Sequence, residues 1–211
     1  MGTTELTIVA APAMKIADIT SELNRAWDDT GQRVPRFVVL TRLMGSLYGA
    51  DAFLRIAAAS TLMDYGLDNQ TGEILRWNDP EGRRSPWANG PWRNPPGVGR
   101  AIVHMTDPGD VTAINRDGIS IGIAGQYDDA VSDDAYGALV ALVAHHASKA
   151  GVPHTTPYSD DLVHPDTGVS FVLWHSTFCG DLKPDPGHVV KELTGRLVQD
   201  VRRVMREGGS A

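Results

Sequence analysis

WHSTFCGDLKPDPGHVV, residues 174–190, is the stretch of this chain that says most about its fold. It begins at the end of an apolar run, FVLW at residues 171–174, which has the composition of a buried strand. It ends in a helical pattern that Pro186 opens and that continues to about Gly208. A strand, an irregular connection and a helix in this order are typical of an α/β domain.

The upstream sequence repeats this alternation of strands and helices. Strands are predicted at residues 5–10, 36–43, 63–68, 72–77, 100–105 and 119–124. Helices are predicted at residues 18–28, at residues 49–60, and from a cap at Ser132 to about Ala150. The turn at residues 69–71 predicts a hairpin between the third and fourth strands. The sequence therefore predicts an α/β fold with a central mixed β-sheet flanked by helices.

The domain organisation follows from where this alternation is interrupted. Residues 1–35 predict an N-terminal strand–helix extension, and residues 36–211 predict the main domain, the two forming a single compact unit. Residues 78–99 are rich in proline and glycine and cannot form regular structure. Their tryptophans, Trp87 and Trp92, favour an ordered loop, and a loop of this length usually has a function.

Composition limits the classes of function. The chain has 211 residues, 42% of them hydrophobic, and a net charge of -7, so we expect no nucleic-acid binding. No apolar run approaches the roughly 20 residues needed to span a bilayer. The N-terminus lacks the basic start and the long apolar stretch of a signal peptide. The single cysteine, Cys179, excludes an intramolecular disulfide.

Residues 174–190 also resemble a motif of the zinc N-acetylmuramoyl-L-alanine amidases and peptidoglycan-recognition proteins. That motif has a histidine at a strand end, a loop, a lysine, and then an aspartate or cysteine before Pro-Gly. His175, Lys183 and Asp185 match these positions. The resemblance implies that His175 and Asp185 are two of three zinc ligands. It also implies that Lys183 stabilises the oxyanion formed when zinc-bound water attacks an amide.

Two further stretches, and one short element, resemble the same family in the same order. INRDGISIGIAGQYDD, residues 114–129, resembles the family's asparagine and the Ser-Ile-Gly-Ile-Glu strand that follows it. FVVLTRLMGS, residues 37–46, resembles its first core strand, and Trp87 with the next three residues resembles the Trp-His-Ala-Gly element of the substrate cleft. The resemblance covers roughly residues 36–190 and implies an amidase-like fold.

Three positions of this chain lack the residue that amidase catalysis needs. Thr41 stands where the family has its first zinc-binding histidine, and the charge of the next residue, Arg42, would oppose a dication. Ala88, or Asn89 if the alignment shifts by one residue, replaces the histidine of the cleft. Ala124 replaces a glutamate that acts as general base, and alanine cannot move a proton. The two remaining ligands would not hold zinc firmly.

We therefore predict a protein that is not an active amidase and that needs no cofactor. It is expected to be a structural component of a phage virion, such as a minor tail protein that contacts neighbouring virion proteins, or a module that recognises peptidoglycan. The phage setting, with synthesis in the host cytoplasm, is inferred from the occurrence of amidase-like modules in phage proteins and not from any residue of this chain. Homo-oligomers are compatible with either role. Trp87 and Trp92 are the candidate interface or ligand-binding residues.

The alternative is an active, endolysin-like zinc amidase with a rearranged metal site. His104 would then join His175 and Asp185 as a ligand, if its strand lay beside the strand that ends at His175. A metal-free hydrolase is a third possibility, but the sequence contains no paired nucleophile and base to support it. Cys179 follows His175 closely in sequence, which says little about a catalytic dyad.

Overall fold

A computed structural model describes residues 14, 16–20, 32–56, 63–82, 112–154, 162–166, 168, 170–176 and 186–208. The structural statements below concern these residues. The strands predicted at residues 5–10 and 100–105 lie outside them, as does most of the loop predicted at residues 78–99.

The described residues form six strands and four helices. The strands are β1 (Ile16–Asp18), β2 (Phe37–Leu43), β3 (Tyr65–Leu67), β4 (Ile74–Arg76), β5 (Gly118–Ala124) and β6 (Val172–Trp174). The helices are α1 (Leu47–Leu54), α2 (Thr112–Asp117), α3 (Asp133–Lys149) and α4 (His188–Gly208). They build one sheet in the order β1-β4-β3-β5-β2-β6, in which β3 and β4 are antiparallel and the other neighbours are parallel. The predicted mixed sheet with flanking helices, including the hairpin, is confirmed.

The helix predicted at residues 18–28 is wrong at its start, because Asp18 belongs to β1. Asp18 pairs with Arg76 of β4 in register, and its carboxylate forms an ion pair with the guanidinium of Arg76. The same carboxylate accepts hydrogen bonds from the backbone N–H and the hydroxyl of Thr20, which ends the strand. β1 thereby joins part of the N-terminal extension to the sheet, and the domain boundary at residue 35 stays a prediction.

Other helix limits also differ from the sequence prediction. α1 begins at Leu47 because the side-chain oxygen of Ser46 accepts the backbone N–H of Gly49. α4 begins at His188, after Gly187, whose φ of 86° lies outside the helical region. The sequence did not predict α2, since a helix of six mostly polar residues has no apolar periodicity to reveal it.

One face of the sheet is covered by α3 and α4. α3 begins where it was predicted, because the hydroxyl oxygen of Ser132 accepts the backbone N–H of Ala135. Asp133 and Asp134 lie in its first turn, where the helix dipole favours negative charge. The buried core between this face and the two helices includes Ile119, Ile121, Ile123, Leu139, Leu142, Val143, Leu197 and Val201.

The opposite face carries a smaller core beneath α1. Leu47 and Leu54 of α1 pack with Trp77, and the indole N–H of Trp77 donates to the carboxylate of Asp51 at 2.8 Å. Trp77 lies so close to Gly66 of β3 that a Cβ there would be 2.2 Å from the indole ring. Glycine is therefore required at this position of the strand, since any side chain would displace the tryptophan.

A buried ion pair joins the amino ends of the parallel strands. The guanidinium of Arg33 contacts the carboxylate of Asp64 at 2.7 Å, and both side chains are fully buried. The same carboxylate accepts the backbone N–H of Ser120 in β5 at 2.9 Å and the side-chain amide of Asn78 at 2.8 Å. Arg33 donates further to the carbonyl oxygen of Gly118 at 2.7 Å. A buried charge is tolerated only when it is paired and hydrogen-bonded in this way.

We predict that Arg33→Met lowers the free energy of unfolding by about 3–5 kcal/mol, because it leaves the carboxylate of Asp64 buried without its cation. The matched control is Arg55→Met, which removes the partly exposed pair between Arg55 and Asp51 and should cost at most about 1 kcal/mol. Urea unfolding followed by tryptophan fluorescence measures both variants. Equal and small losses of unfolding free energy in the two variants would contradict the claim that the buried pair is the more stabilising one.

Candidate functional site

Thr41 and His175 meet at the carboxyl edge of the sheet. β2 and β6 run parallel, and their pairing ends with Leu40 opposite Trp174. The next residue of each segment, Thr41 or His175, therefore lies at the same level of the sheet. The hydroxyl oxygen of Thr41 lies 3.5 Å from Nδ1 of His175, and both side chains are buried. The sequence prediction that these two family positions share one site is therefore consistent with the geometry.

The contact between Thr41 and His175 joins a neutral hydroxyl to an imidazole. The hydroxyl can donate to Nδ1 or accept from it, depending on the tautomer of the histidine. Either arrangement orients the ring. In both arrangements the group that Thr41 brings to His175 is a hydroxyl, not an imidazole or a carboxylate. The two residues therefore supply one good zinc ligand and one poor one.

Trp174 fixes the end of β6 against the last helix. Its indole N–H donates to the hydroxyl of Thr194 at 2.9 Å, and the ammonium of Lys191 lies 5.4 Å from the centre of its ring. Successive residues of a strand point to opposite faces of a sheet. Because Trp174 contacts α4 on one face, His175 is directed to the other, where Thr41 lies.

The guanidinium of Arg42 is bound by the loop between β5 and α3. Its guanidinium donates to the carbonyl oxygens of Gln126 at 2.6 Å and Asp129 at 2.9 Å, in the loop between β5 and α3. Strand alternation places Thr41 and Arg42 on opposite faces. The function of the buried Arg42 in this structure is to hold the loop, which sequence position alone did not indicate.

The loop held by Arg42 packs in turn against the start of α4. A Cβ on Gly187 would lie 2.5 Å from the carbonyl oxygen of Tyr127, and Gly187 also has a positive φ. Beside this contact, Nδ1 of His188 lies 3.2 Å from the carboxylate of Asp128, in an exposed pair. The entry to α4, which directly follows the predicted ligand Asp185, is therefore positioned by backbone contact with the loop.

Ala124 lies in an apolar environment at the end of β5. It is buried and packs in the cluster formed by Leu47, Leu54, Leu75 and Trp77. The next residue, Gly125, donates its backbone N–H to the carbonyl oxygen of Gly45 at 2.7 Å. An ionised glutamate at position 124 would be desolvated by these side chains. The alanine therefore fits the core that surrounds it.

The described residues do not fit a zinc site at this edge. His175 is a suitable ligand, whereas Thr41 is a poor ligand and Ala124 offers none. Within the described part of the chain, no group of three histidine, cysteine, aspartate or glutamate side chains is placed to hold a metal ion. The other two ligand candidates, Asp185 and His104, lie outside the described residues.

Several other residues singled out from the sequence also lie outside the described part. They are Ala88, Asn89, Trp87, Trp92, Lys183 and Cys179. Their predicted roles, and the closeness expected of His175 and Asp185, stay predictions.

Two cavities lie away from this site, one where α3 and α4 end and one beside the end of α3. One has a volume of about 730 Å³ and is lined by residues of both helices, including Ala144 and Met205. The other, of about 380 Å³, lies beside Arg33 and His146. The Nε2 atom of His146 is 3.1 Å from the hydroxyl of Tyr65, and burial lowers the pKa of His146 to about 4. A neutral histidine satisfied by a core tyrosine is a structural group here.

Comparison with known proteins shows that this chain is similar in fold to several solved structures. No family model matches the sequence, and no curated protein is significantly similar to it. The chain is similar to the solved structure of PlyL, with a TM-score of 0.53 and 16% sequence identity over 90% of this chain and 96% of that one. It is similar to the Staphylococcus aureus hydrolase AmiA, solved in complex with its ligand, with a TM-score of 0.53 and 13% identity over 95% of this chain and 87% of that one.

A third similar structure is the N-acetylmuramoyl-L-alanine amidase LysC from Clostridium intestinale URNW. Its TM-score is 0.49, with 13% identity over 88% of this chain and 98% of LysC. At such identities a structural likeness shows the fold alone. The likeness to PlyL and AmiA confirms the amidase-like α/β fold that residues 36–190 implied.

We predict opposite effects for two glycine substitutions in and before α4. Gly187→Ala should destabilise the protein by more than about 1 kcal/mol, because the residue needs a positive φ and has no space beside Tyr127. Gly195→Ala is the control, because nothing lies within 4 Å of a Cβ at that helical position. It should stabilise the protein by about 0.5–1 kcal/mol. Thermal unfolding compares the variants, and a neutral Gly187→Ala would contradict the tight packing of the loop on α4.

Proposed function

We propose that this chain is a non-catalytic descendant of a peptidoglycan amidase that works as a structural component of a phage virion, such as a minor tail protein. The observation that supports the loss of catalysis is the contact between Thr41 and His175. A threonine hydroxyl lies 3.5 Å from its Nδ1, where a zinc amidase needs a second imidazole. Zinc bound by three protein ligands would supply a polarised water and a Lewis acid in an active relative.

The surroundings of Ala124 support the same proposal. Amidase chemistry requires a group that moves a proton to or from the attacking water and the leaving amine. Ala124 is instead part of the apolar cluster with Leu47 and Trp77. A residue that has become part of a core is retained for packing, so the fold persists without the catalytic group.

The virion role is inferred from the kind of protein that carries this fold. The family that residues 36–190 resemble acts on peptidoglycan, and the similarity in fold to PlyL and AmiA supports that resemblance. No helix among the described residues is long and apolar enough to cross a membrane. A module that has lost its chemistry retains two uses near a wall, which are to contact neighbouring virion proteins or to bind peptidoglycan. We favour the contact with virion proteins, with Trp87 and Trp92 as its anchors.

We predict that the purified protein, incubated with excess zinc and then desalted, holds much less than one zinc per chain and releases no stem peptide from peptidoglycan. The reason is that Thr41, which lies beside His175 at the position of a family ligand, offers a hydroxyl in place of an imidazole. Thr41→His should raise the zinc content, because it places an imidazole at the position of the hydroxyl. Thr41→Val is the matched control, since it changes the same side chain without adding a ligand. Elemental analysis measures the metal.

One result would overturn the non-catalytic proposal. Stoichiometric zinc in the unmodified protein, together with peptide release that His175→Ala abolishes, would establish the active amidase with a rearranged site. His104→Ala would then test whether that residue is the replacement ligand.

We predict that the isolated protein does not sediment with purified cell walls, because we assign Trp87 and Trp92 to contacts with another protein. The measurement is a pull-down of the unmodified protein, Trp87→Ala and Trp92→Ala. Val34→Ala is a control for loss of an exposed apolar side chain elsewhere. Wall binding that either tryptophan substitution abolishes, and that Val34→Ala retains, would instead establish a peptidoglycan-recognition module.

A further inference from the structure

α1 is apolar on both of its faces. Its inner face buries Leu47 and Leu54 against the sheet. Its outer face carries Tyr48 and Phe53, which are 60% and 51% exposed. Ile56, two residues after the end of the helix, is 55% exposed. At about 100° per residue these three side chains span an arc of about 140° that points away from the sheet. A helix with apolar residues all round is expected to be buried on all sides.

The apolar surface continues beyond the helix. Met44, which lies between β2 and the cap of α1, is 57% exposed. We call the surface formed by Met44, Tyr48, Phe53 and Ile56 the outer face of α1. Large apolar side chains exposed one at a time are ordinary, whereas four exposed within thirteen consecutive residues are a concentration of the kind found at interaction sites.

One side of the outer face of α1 is bordered by acidic groups. The hydroxyl of Tyr48 donates to the carboxylate of Glu73 at 2.7 Å. This hydrogen bond, with the charges of Glu73, Asp68 and Asp51, raises the pKa of Tyr48. Asp51 is paired with Arg55 at 2.8 Å, and the carboxylate of Asp68 accepts the backbone N–H groups of Gln70 and Thr71 in its own turn. Among the described residues, Glu73 and Asp68 therefore supply the negative charge at this border that no ion pair neutralises. An occupant of the surface must therefore bring positive charge to that side.

We propose that the outer face of α1 docks an apolar helical segment of another protein, with lysine or arginine residues flanking its apolar side chains. The apolar side chains of the segment cover Phe53, Ile56 and Met44. Its basic residues lie over Glu73 and Asp68. Burial of the apolar patch supplies the affinity, and the charges at its border fix the orientation.

A symmetric pair of this chain does not satisfy the same requirements. In a two-fold contact centred on this surface, each copy presents the same residues to the other. The acidic border would then contribute negative charge from both copies, and Arg55, the cation that the described residues place there, is already paired with Asp51. A cationic partner removes that repulsion, whereas a second copy doubles it.

This surface is separate from the residues that carry the proposed loss of catalysis. Thr41 and His175 are buried side chains that contact each other where the β2–β6 ladder ends, whereas the outer face of α1 is exposed. Failure of the zinc or cell-wall experiments therefore leaves the docking proposal standing. Failure of the docking experiment likewise leaves the proposed function intact.

The experiment uses a fluorescein-labelled peptide of 18 residues built only from leucine and lysine in helical periodicity. We expect saturable binding to the full chain, measured by fluorescence anisotropy. The double variant Phe53→Gln with Ile56→Gln should weaken it at least tenfold. Val34→Gln, a substitution at a side chain that is 62% exposed elsewhere, should leave it unchanged. Glu73→Gln should weaken binding by a smaller factor and reduce its dependence on salt.

Several results would overturn the docking proposal. One is equal binding of a leucine–glutamate peptide of the same periodicity. Another is binding of the leucine–lysine peptide that the double variant does not weaken, or no saturable binding at all. A third is a dimer of the unmodified protein, seen by sedimentation equilibrium, that the double variant dissociates, since the surface would then belong to a second copy. Thermal unfolding of each variant confirms that an exposed substitution has left the fold intact.

Discussion

The carboxylate of Asp64 is the group on which the arrangement of the sheet depends. It is fully buried at the amino ends of the parallel strands, where it accepts hydrogen bonds from Arg33, Asn78 and the backbone of Ser120. The guanidinium of Arg33 extends this network to the carbonyl oxygens of Asn115 and Gly118. Segments before β2, β3 and β5 are thereby joined by charged hydrogen bonds in a place that excludes water. Because burying a carboxylate without partners costs far more than any one of these bonds returns, the segments are constrained together.

This arrangement separates stability from chemistry. The polar network lies at the amino edge of the sheet, and Thr41 and His175 lie at the carboxyl edge. Exchange of a ligand or a general base at the carboxyl edge leaves the buried ion pair untouched. The clearest case is Ala124, which packs with Trp77 in the core beneath α1. A fold that is stabilised from one edge can persist after the opposite edge has lost its catalytic groups.

The sequence predicted the parts of the fold that have a strong local signal. The cap at Ser132, the hairpin from β3 to β4, and the apolar strands β2 and β5 were all identified, because each has its own turn, cap or β-branched pattern. The family resemblance assigned Thr41 and His175 to one site, whereas the parallel register that brings them together was seen only in the structure. The function of Arg42 did not follow, since the carbonyl oxygens that bind its guanidinium belong to Gln126 and Asp129, which are 84 and 87 positions away in the sequence. The Arg33–Asp64 pair joins residues 31 positions apart, and no local sequence pattern predicts it.

α1 connects the core of the smaller face to the surface. A helix of eight residues is marginal on its own in water, so contacts on its sides stabilise it. Its inner contacts, Leu47 and Leu54, belong to the same cluster as Ala124, which is the position that the family resemblance aligns with a general base. A partner that covers Phe53 and Ile56 would therefore stabilise a helix whose other face packs over the end of β5. In an active amidase that position is occupied by a group that must stay hydrated and able to move a proton, which an apolar cluster prevents. Under the proposed descent from an amidase, alanine at position 124 offers no proton carrier and supplies packing for the helix that presents the outer face.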